Sequence, residues 1–141
     1  MTTWSYTDTG LDTDPWIINS ITATPDTPQP GSPWKLAIDT TVLETITEGA
    51  WLDVTVQLGL IKLLQKRYDL FECLNGKHPE IPLTLDDKQD GPIGKGHVGM
   101  TLALNLKREV PPAKFKILVR GYTVEEDDLF SIDATVDFTT T

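Results

Sequence analysis

Two-residue alternation of apolar and polar side chains runs through most of this chain and commits it to β-structure. Leu52, Val54, Val56 and Leu58 alternate with Asp53, Thr55 and Gln57. Val98, Met100, Leu102, Leu104 and Leu106 alternate with Gly99, Thr101, Ala103 and Asn105. The same beat occurs in Trp34–Asp39, in Lys114–Val119 and in Ser131–Phe138. Successive side chains of a strand point to opposite faces, so each run lays one apolar row on one face of a sheet. Trp16–Thr24, rich in Ile and Thr, reads as a further strand. One segment is ambiguous. In Leu60–Leu70 the stripe Leu60, Leu63, Leu64 fits a helix by propensity. Its position one glycine after a strand favours strand or irregular edge instead.

Turn chemistry separates these runs. Pro25, Pro28 and Pro30 lead to Gly31, and each proline removes a ladder donor and fixes φ. Glu48-Gly49, Asn75-Gly76, Asp90-Gly91-Pro92 and Pro111-Pro112 punctuate the rest. Seven to eight short strands at this spacing predict an all-β sandwich. The 141 residues suit one domain. We assign an N-terminal extension to residues 1–15 and the sandwich to residues 16–138, with Met1–Thr3 and Thr139–Thr141 loose.

Charge narrows the function classes. Twelve Lys and Arg against twenty-one Asp and Glu give a net charge of -9, which repels phosphate backbones and excludes nucleic acid as a main partner. Cys73 is the one cysteine, so no intramolecular disulfide forms, and with only His78 and His97 a structural zinc site is not expected. No run of about 18 apolar residues is present to cross a membrane as a helix. The start, Met1 to Asp8, lacks the basic and apolar stretches of a secretory signal. Together with the missing disulfide pairs this predicts a cytoplasmic location, with a secreted or vacuolar protein whose signal has been removed as the alternative.

Catalytic motifs are missing. There is no nucleophile elbow, zincin, P-loop or dinucleotide fingerprint. Gly91–Gly96 is glycine-rich but reads as a turn between strands. Asp86–Gly91 hints at a calcium loop, yet Lys88 occupies a ligand position and the distal Glu is absent. Glu125–Asp128 reads as a polar hairpin tip. His97 has no nucleophile beside it in the pattern. No catalytic residue, metal or cofactor is therefore expected.

Several stretches between the strands carry a resemblance. Pro25-Asp26-Thr27-Pro28 through Pro30-Gly31, Glu48-Gly49-Ala50, Asp53–Val56 with Leu58–Leu64, Glu109–Phe115 and Arg120–Thr123 together resemble the ML domain family, nearest to the fungal phosphatidylglycerol/phosphatidylinositol transfer proteins. The resemblance covers about Trp4 to Phe138. It implies an immunoglobulin-like β-sandwich with a hydrophobic cavity between the sheets. It also implies two disulfides in secreted members, at positions that here hold Thr9 with Ser131 and Phe71 with Ile81. Both members of each pair are changed, and Phe71 with Ile81 could replace a staple by apolar packing.

The site expectations follow. The rows Leu36, Ile38, Val54, Val56, Leu58, Met100, Leu102, Leu104, Phe115, Ile117 and Val119 either fill a closed core or line a cavity. The resemblance puts a mouth near Tyr68 and Val110–Pro112, with Tyr122 as a further amphipathic ring. Lys62, Lys66 and Arg67 form a local basic cluster able to meet a lipid phosphate or simply a solvated face, and Arg120 is a second such candidate. The expected function is binding, with transfer, of an apolar small molecule: a phospholipid, sterol or fatty acid, with transient membrane contact. The alternative is a cofactor-independent cyclase or isomerase holding an isoprenoid or polyketide in the same space, sensitive to His97 or Tyr122.

Overall fold

The computed structural model describes residues 3–87 and 91–139. Most of the expected loose ends, residues 1–2 and 140–141, and residues 88–90 of the Asp86–Gly91 loop lie outside these residues. Nine strands and one short helix follow in chain order: β1 Thr3–Asp8, β2 Trp16–Thr24, β3 Pro33–Val42, β4 Trp51–Leu58, β5 Ile61–Asp69, α1 Leu70–Leu74, β6 Leu83–Leu85, β7 Gly96–Asn105, β8 Lys114–Tyr122 and β9 Asp128–Asp137. They form two antiparallel sheets. One has the order β1-β9-β8-β4-β5 and the other β2-β3-β7-β6. This is the β-sandwich that the alternation predicts.

Two details differ from the expectation. The presumed extension is not outside the sandwich: β1 pairs with β9 from Thr3↔Asp137 to Asp8↔Ile132 and forms an edge of the five-stranded sheet. Its inward Trp4 stacks edge-on to Trp34 at 5.5 Å, which ties it to the opposite sheet. The strand count rises to nine because β1 and the three-residue β6 escape a pattern test that needs longer runs. The ambiguous segment is strand β5, as its position one glycine after β4 favours, with the short helix α1 following it. Asp69 caps that helix, accepting from the Glu72 amide at 3.0 Å.

Pairing register fixes which residues face inward. β4 and β8 align Leu52↔Gly121, Val54↔Val119, Val56↔Ile117 and Leu58↔Phe115. β3 and β7 align Thr40↔Val98, Ile38↔Met100, Leu36↔Leu102 and Trp34↔Leu104. Following these rows, the sandwich has two different ends. At one, here the closed end, Trp16, Val42, Ile46, Ala50, Leu52, Tyr68, Leu70, Cys73, Ile93, Val98 and Leu129 form a buried core. Its only polar inner-row side chain in β3 is satisfied. Trp16 Nε1 donates to Thr40 Oγ1 at 2.7 Å, and that hydroxyl donates to the Val98 carbonyl at 2.6 Å. Gly121 is required here: a Cβ would collide with the Phe130 ring, which in turn stacks edge-on against Trp16 at 5.5 Å. At the other, open end lie the β4–β5 turn, the β7–β8 connection and the β2–β3 connection.

The positions that the resemblance pairs as a disulfide do meet. Thr9 Oγ1 and Ser131 Oγ are 2.6 Å apart, and the Thr9 amide donates to the Ser131 carbonyl at 3.0 Å. A hydroxyl pair stands where the secreted pattern has a covalent bridge. Phe71 and Ile81 both pack, half-buried, against the closed-end core.

Candidate functional site

Apolar packing between the sheets is divided. A second, smaller cluster of Ala23, Trp34 and Val136, supported by Trp4, Leu36, Leu104, Leu106, Ile117 and Phe138, occupies the open end on the side of β1, β2 and β9. It does not join the closed-end core. Between them, on the side of β4, β5 and β7, the inward Leu58 and Leu102 pack against neither cluster, and Phe115 touches the smaller one only through an edge-on contact with Phe138 at 6.1 Å. These three are half-buried although their rows face the opposite sheet. A closed sandwich would bury them by interdigitation. Here this stretch of the inner faces is left out of both cores.

The expected lining residues fall into three groups. Val54 and Met100 are buried in the closed-end core, with Ile38, Val56 and Val119 packed against it. Leu36, Leu104 and Ile117 pack against the smaller cluster. Leu58 and Leu102 belong to neither cluster, and Phe115 meets only the edge of the smaller one through Phe138. Val110 and Pro112 sit in the β7–β8 connection at the open end, half-buried and exposed respectively. Tyr68 is inward on β5 but only 2% exposed, a floor rather than a rim. Its hydroxyl pKa is raised, by burial first and then by the Glu80 charge.

Tyr122 must be removed from the set. The β8 parity that turns Phe115, Ile117, Val119 and Gly121 inward turns Tyr122 outward, where its ring stacks on Trp51 at 4.3 Å. His97 is outward too, paired with Thr41 across the strands and bonded to Asp39. Arg120 is also on the outer face and is already held. Its Nη1 donates to the carbonyls of Val119 and Ile132, both at 3.2 Å, and pairs with Asp133 at 2.8 Å.

Sequence reasoning treated Lys62, Lys66 and Arg67 as one cluster, but β5 splits them. Lys62 pairs with Gln57 and Arg67 with Asp53, both outward positions. The Arg67 guanidinium lies over the Trp51 ring at 3.7 Å. Lys66 pairs with Val54 and is inward. Ile61 and Leu64 are also inward, opposite Leu58 and Val56, yet 64% and 39% exposed. They went unassigned because β5 is an edge strand whose sequence mixes apolar and charged residues on both faces. Counting back in twos from Tyr68 finds Lys66 and Leu64; the bulge at Val56/Gln57 hides Ile61.

Charge is distributed along the long axis. Lys62, Lys107, Arg108, Lys114 and Lys116 lie at or beside the open end. Glu44, Glu48, Glu125, Glu126, Asp127 and Asp128 surround the closed end. A pocket of about 340 Å³ opens among the latter, lined by Thr13, Glu44, Ile46, Thr123 and Asp127. It lies at the closed end, away from Leu58 and Leu102.

The family model of the ML domain matches residues 4–138. The chain belongs to the ML domain family. Among curated relatives, a phosphatidylglycerol/phosphatidylinositol transfer protein of Cryptococcus neoformans is 44% identical over 135 residues, covering 96% of this chain and 71% of that protein. One of the same name from Mycosarcoma maydis is 27% identical over 135 residues, covering 96% of this chain and 66% of that protein. Among solved structures, a Niemann-Pick type C2 protein from Japanese carpenter ant superposes with a TM-score of 0.55 at 12% identity, covering 93% of this chain and 96% of the other. Chicken MD-1 complexed with lipid IVa gives 0.52 at 11% identity, covering 95% and 97%. These two likenesses establish the ML sandwich fold.

Proposed function

We propose that this ML domain holds one phospholipid with its acyl chains between the two sheets and carries it between membranes. The observation that carries this reading is the divided core: Leu58 and Leu102 face the opposite sheet and pack against neither cluster. Covering them with an acyl chain stabilises the complex by about 0.8 kcal/mol per methylene buried, so affinity needs no ion pair. The relatives named as phosphatidylglycerol/phosphatidylinositol transfer proteins support a phospholipid as the guest. Basic side chains at the open end support its approach to anionic bilayers, with the acidic closed end turned away. The cyclisation alternative finds no support, since His97 and Tyr122 both face away from the inter-sheet space.

The test is transfer of self-quenched fluorescent phosphatidylglycerol from donor to acceptor vesicles. Fluorescence should rise faster in proportion to protein added. No acceleration, together with no displacement of an apolar dye from the protein, removes the reading.

A further inference from the structure

Lys66 is the one basic side chain on the inward rows among the described strands. Lys35, Lys62, Arg67, Lys114, Lys116 and Arg120 are all placed outward by register. A cation on an otherwise apolar row is unfavourable unless its head reaches water or a partner. Lys66 lies over the buried Tyr68 ring, its Nζ 4.9 Å from the ring centroid. That head is half exposed at the lateral edge, where β5 faces the loop between α1 and β6. Its carboxylate partner there is Glu80, with Nζ 3.7 Å from Oε1 and side-chain exposures of 51% and 48%. That separation exceeds a hydrogen bond, and an exposed pair of this kind is weak. Glu80 has a second neighbour, His78 Nδ1 at 3.8 Å, and His78 Nε2 is held by Glu72 at 3.0 Å. So Glu80 keeps a polar neighbour when Lys66 leaves it.

We infer that Lys66 is the specificity-determining residue for the guest's headgroup: its ammonium exchanges Glu80 for an anionic headgroup oxygen while the acyl chains lie along Leu64, Leu58 and Leu102. This rests on the phospholipid-binding reading above and adds to it the residue that distinguishes a phosphate-bearing headgroup from a neutral one. Two features make the exchange favourable. A direct charge-assisted hydrogen bond replaces a contact too long to be one. The neighbouring inward Leu64 and Ile61, exposed without a guest, are covered at the same time.

Phosphatidylglycerol and diacylglycerol with the same acyl chains separate the phosphate contribution from that of the chains. Each displaces a bound apolar dye, and the readout is the ratio of their affinities. Wild type should favour phosphatidylglycerol, and Lys66→Met should lower that ratio about tenfold, the effect of one charge-assisted hydrogen bond at a half-exposed site. Lys66→Arg should restore most of it. Glu80→Gln should raise the ratio severalfold, because the competing carboxylate is gone. A ratio unchanged by Lys66→Met, or lowered by Glu80→Gln, overturns the assignment. So does a wild type that binds both lipids equally, which leaves the cavity reading standing. A wild type that binds neither ends both.

Discussion

Paired leucine truncations on the two halves of one sandwich distinguish a parted interior from a packed one. Leu52 is 3% exposed in the closed-end core, opposite Gly121 and Tyr68. Leu52→Ala removes three carbons, about 0.8 kcal/mol each by transfer, and leaves a sealed hole that adds to the loss, so the expected cost is about 3 kcal/mol. At about 4 °C per kcal/mol for a domain of this length, the melting temperature should fall by about 12 °C. Leu102 occupies an equally inward position on β7 but packs against neither cluster. Leu102→Ala removes carbons that water already reaches and leaves no sealed hole, so about 1 kcal/mol is expected. Urea melts of both variants, guest-free, measure the two costs from the midpoints at constant slope. Dye displacement by phosphatidylglycerol measures the other half: Leu102→Ala should weaken binding severalfold. Enlarging the same residue is a sharper control. Leu102→Trp should leave stability nearly unchanged and abolish uptake, whereas an overfilled closed core costs about 1–3 kcal/mol. If Leu102→Ala costs as much as Leu52→Ala, the sheets are packed at the open end and the reasoning fails.

Other consequences are tested separately. Thr9→Cys with Ser131→Cys should oxidise readily, since the hydroxyls touch at 2.6 Å and the positions lie 122 residues apart. Closing so long a loop stabilises by up to about 5 kcal/mol, read as a melting shift that a reductant reverses; a pair that stays reduced under oxidant refutes the proximity. Burial pushes the Cys73 thiol up to about 11 from 9.0, helped by the charges of Asp69, Glu80 and Glu72. The folded state therefore keeps its proton where the unfolded chain has lost it. That stability is whole below pH 9 and disappears as pH rises through about 11, a loss of about 3 kcal/mol. Cys73→Ala should flatten the fall between pH 9 and 10, before Tyr68, raised from 10.0, contributes its own. An unchanged profile in that variant refutes the assignment. Gly121→Ala forces the Phe130 ring off Trp16 and should cost about 1–3 kcal/mol by urea melt, relieved by Phe130→Ala in the double variant.

What the sequence conveys, and what it does not, follows from where each strand sits. Central strands such as β4, β7 and β8 have one face on the interior and one on solvent, so alternation marks them and orients every side chain. Edge strands lose that contrast. In β5 Lys66 is inward and Leu63 is 52% exposed, because an edge touches water on more than one side. β1 is short and threonine-rich, with Trp4 and Tyr6 as its only large inward residues, and reads as an extension. The cap of α1 was missed, although Asp69-Leu70-Phe71-Glu72 places an acceptor three residues before a glutamate. Whether the rows meet is different in kind. The same alternation serves a closed core at Leu52 and an unpacked inner face at Leu58, three pleat repeats apart. Only the separation of the sheets, set by contacts distant in sequence such as Trp4 with Trp34, tells them apart.

Native mass spectrometry of the chain after incubation with phosphatidylglycerol vesicles and removal of free lipid tests the central claim most directly. The account predicts a single added mass of one phospholipid per chain, lost when Leu102 is replaced by Trp. A bare protein mass after the same incubation would contradict it.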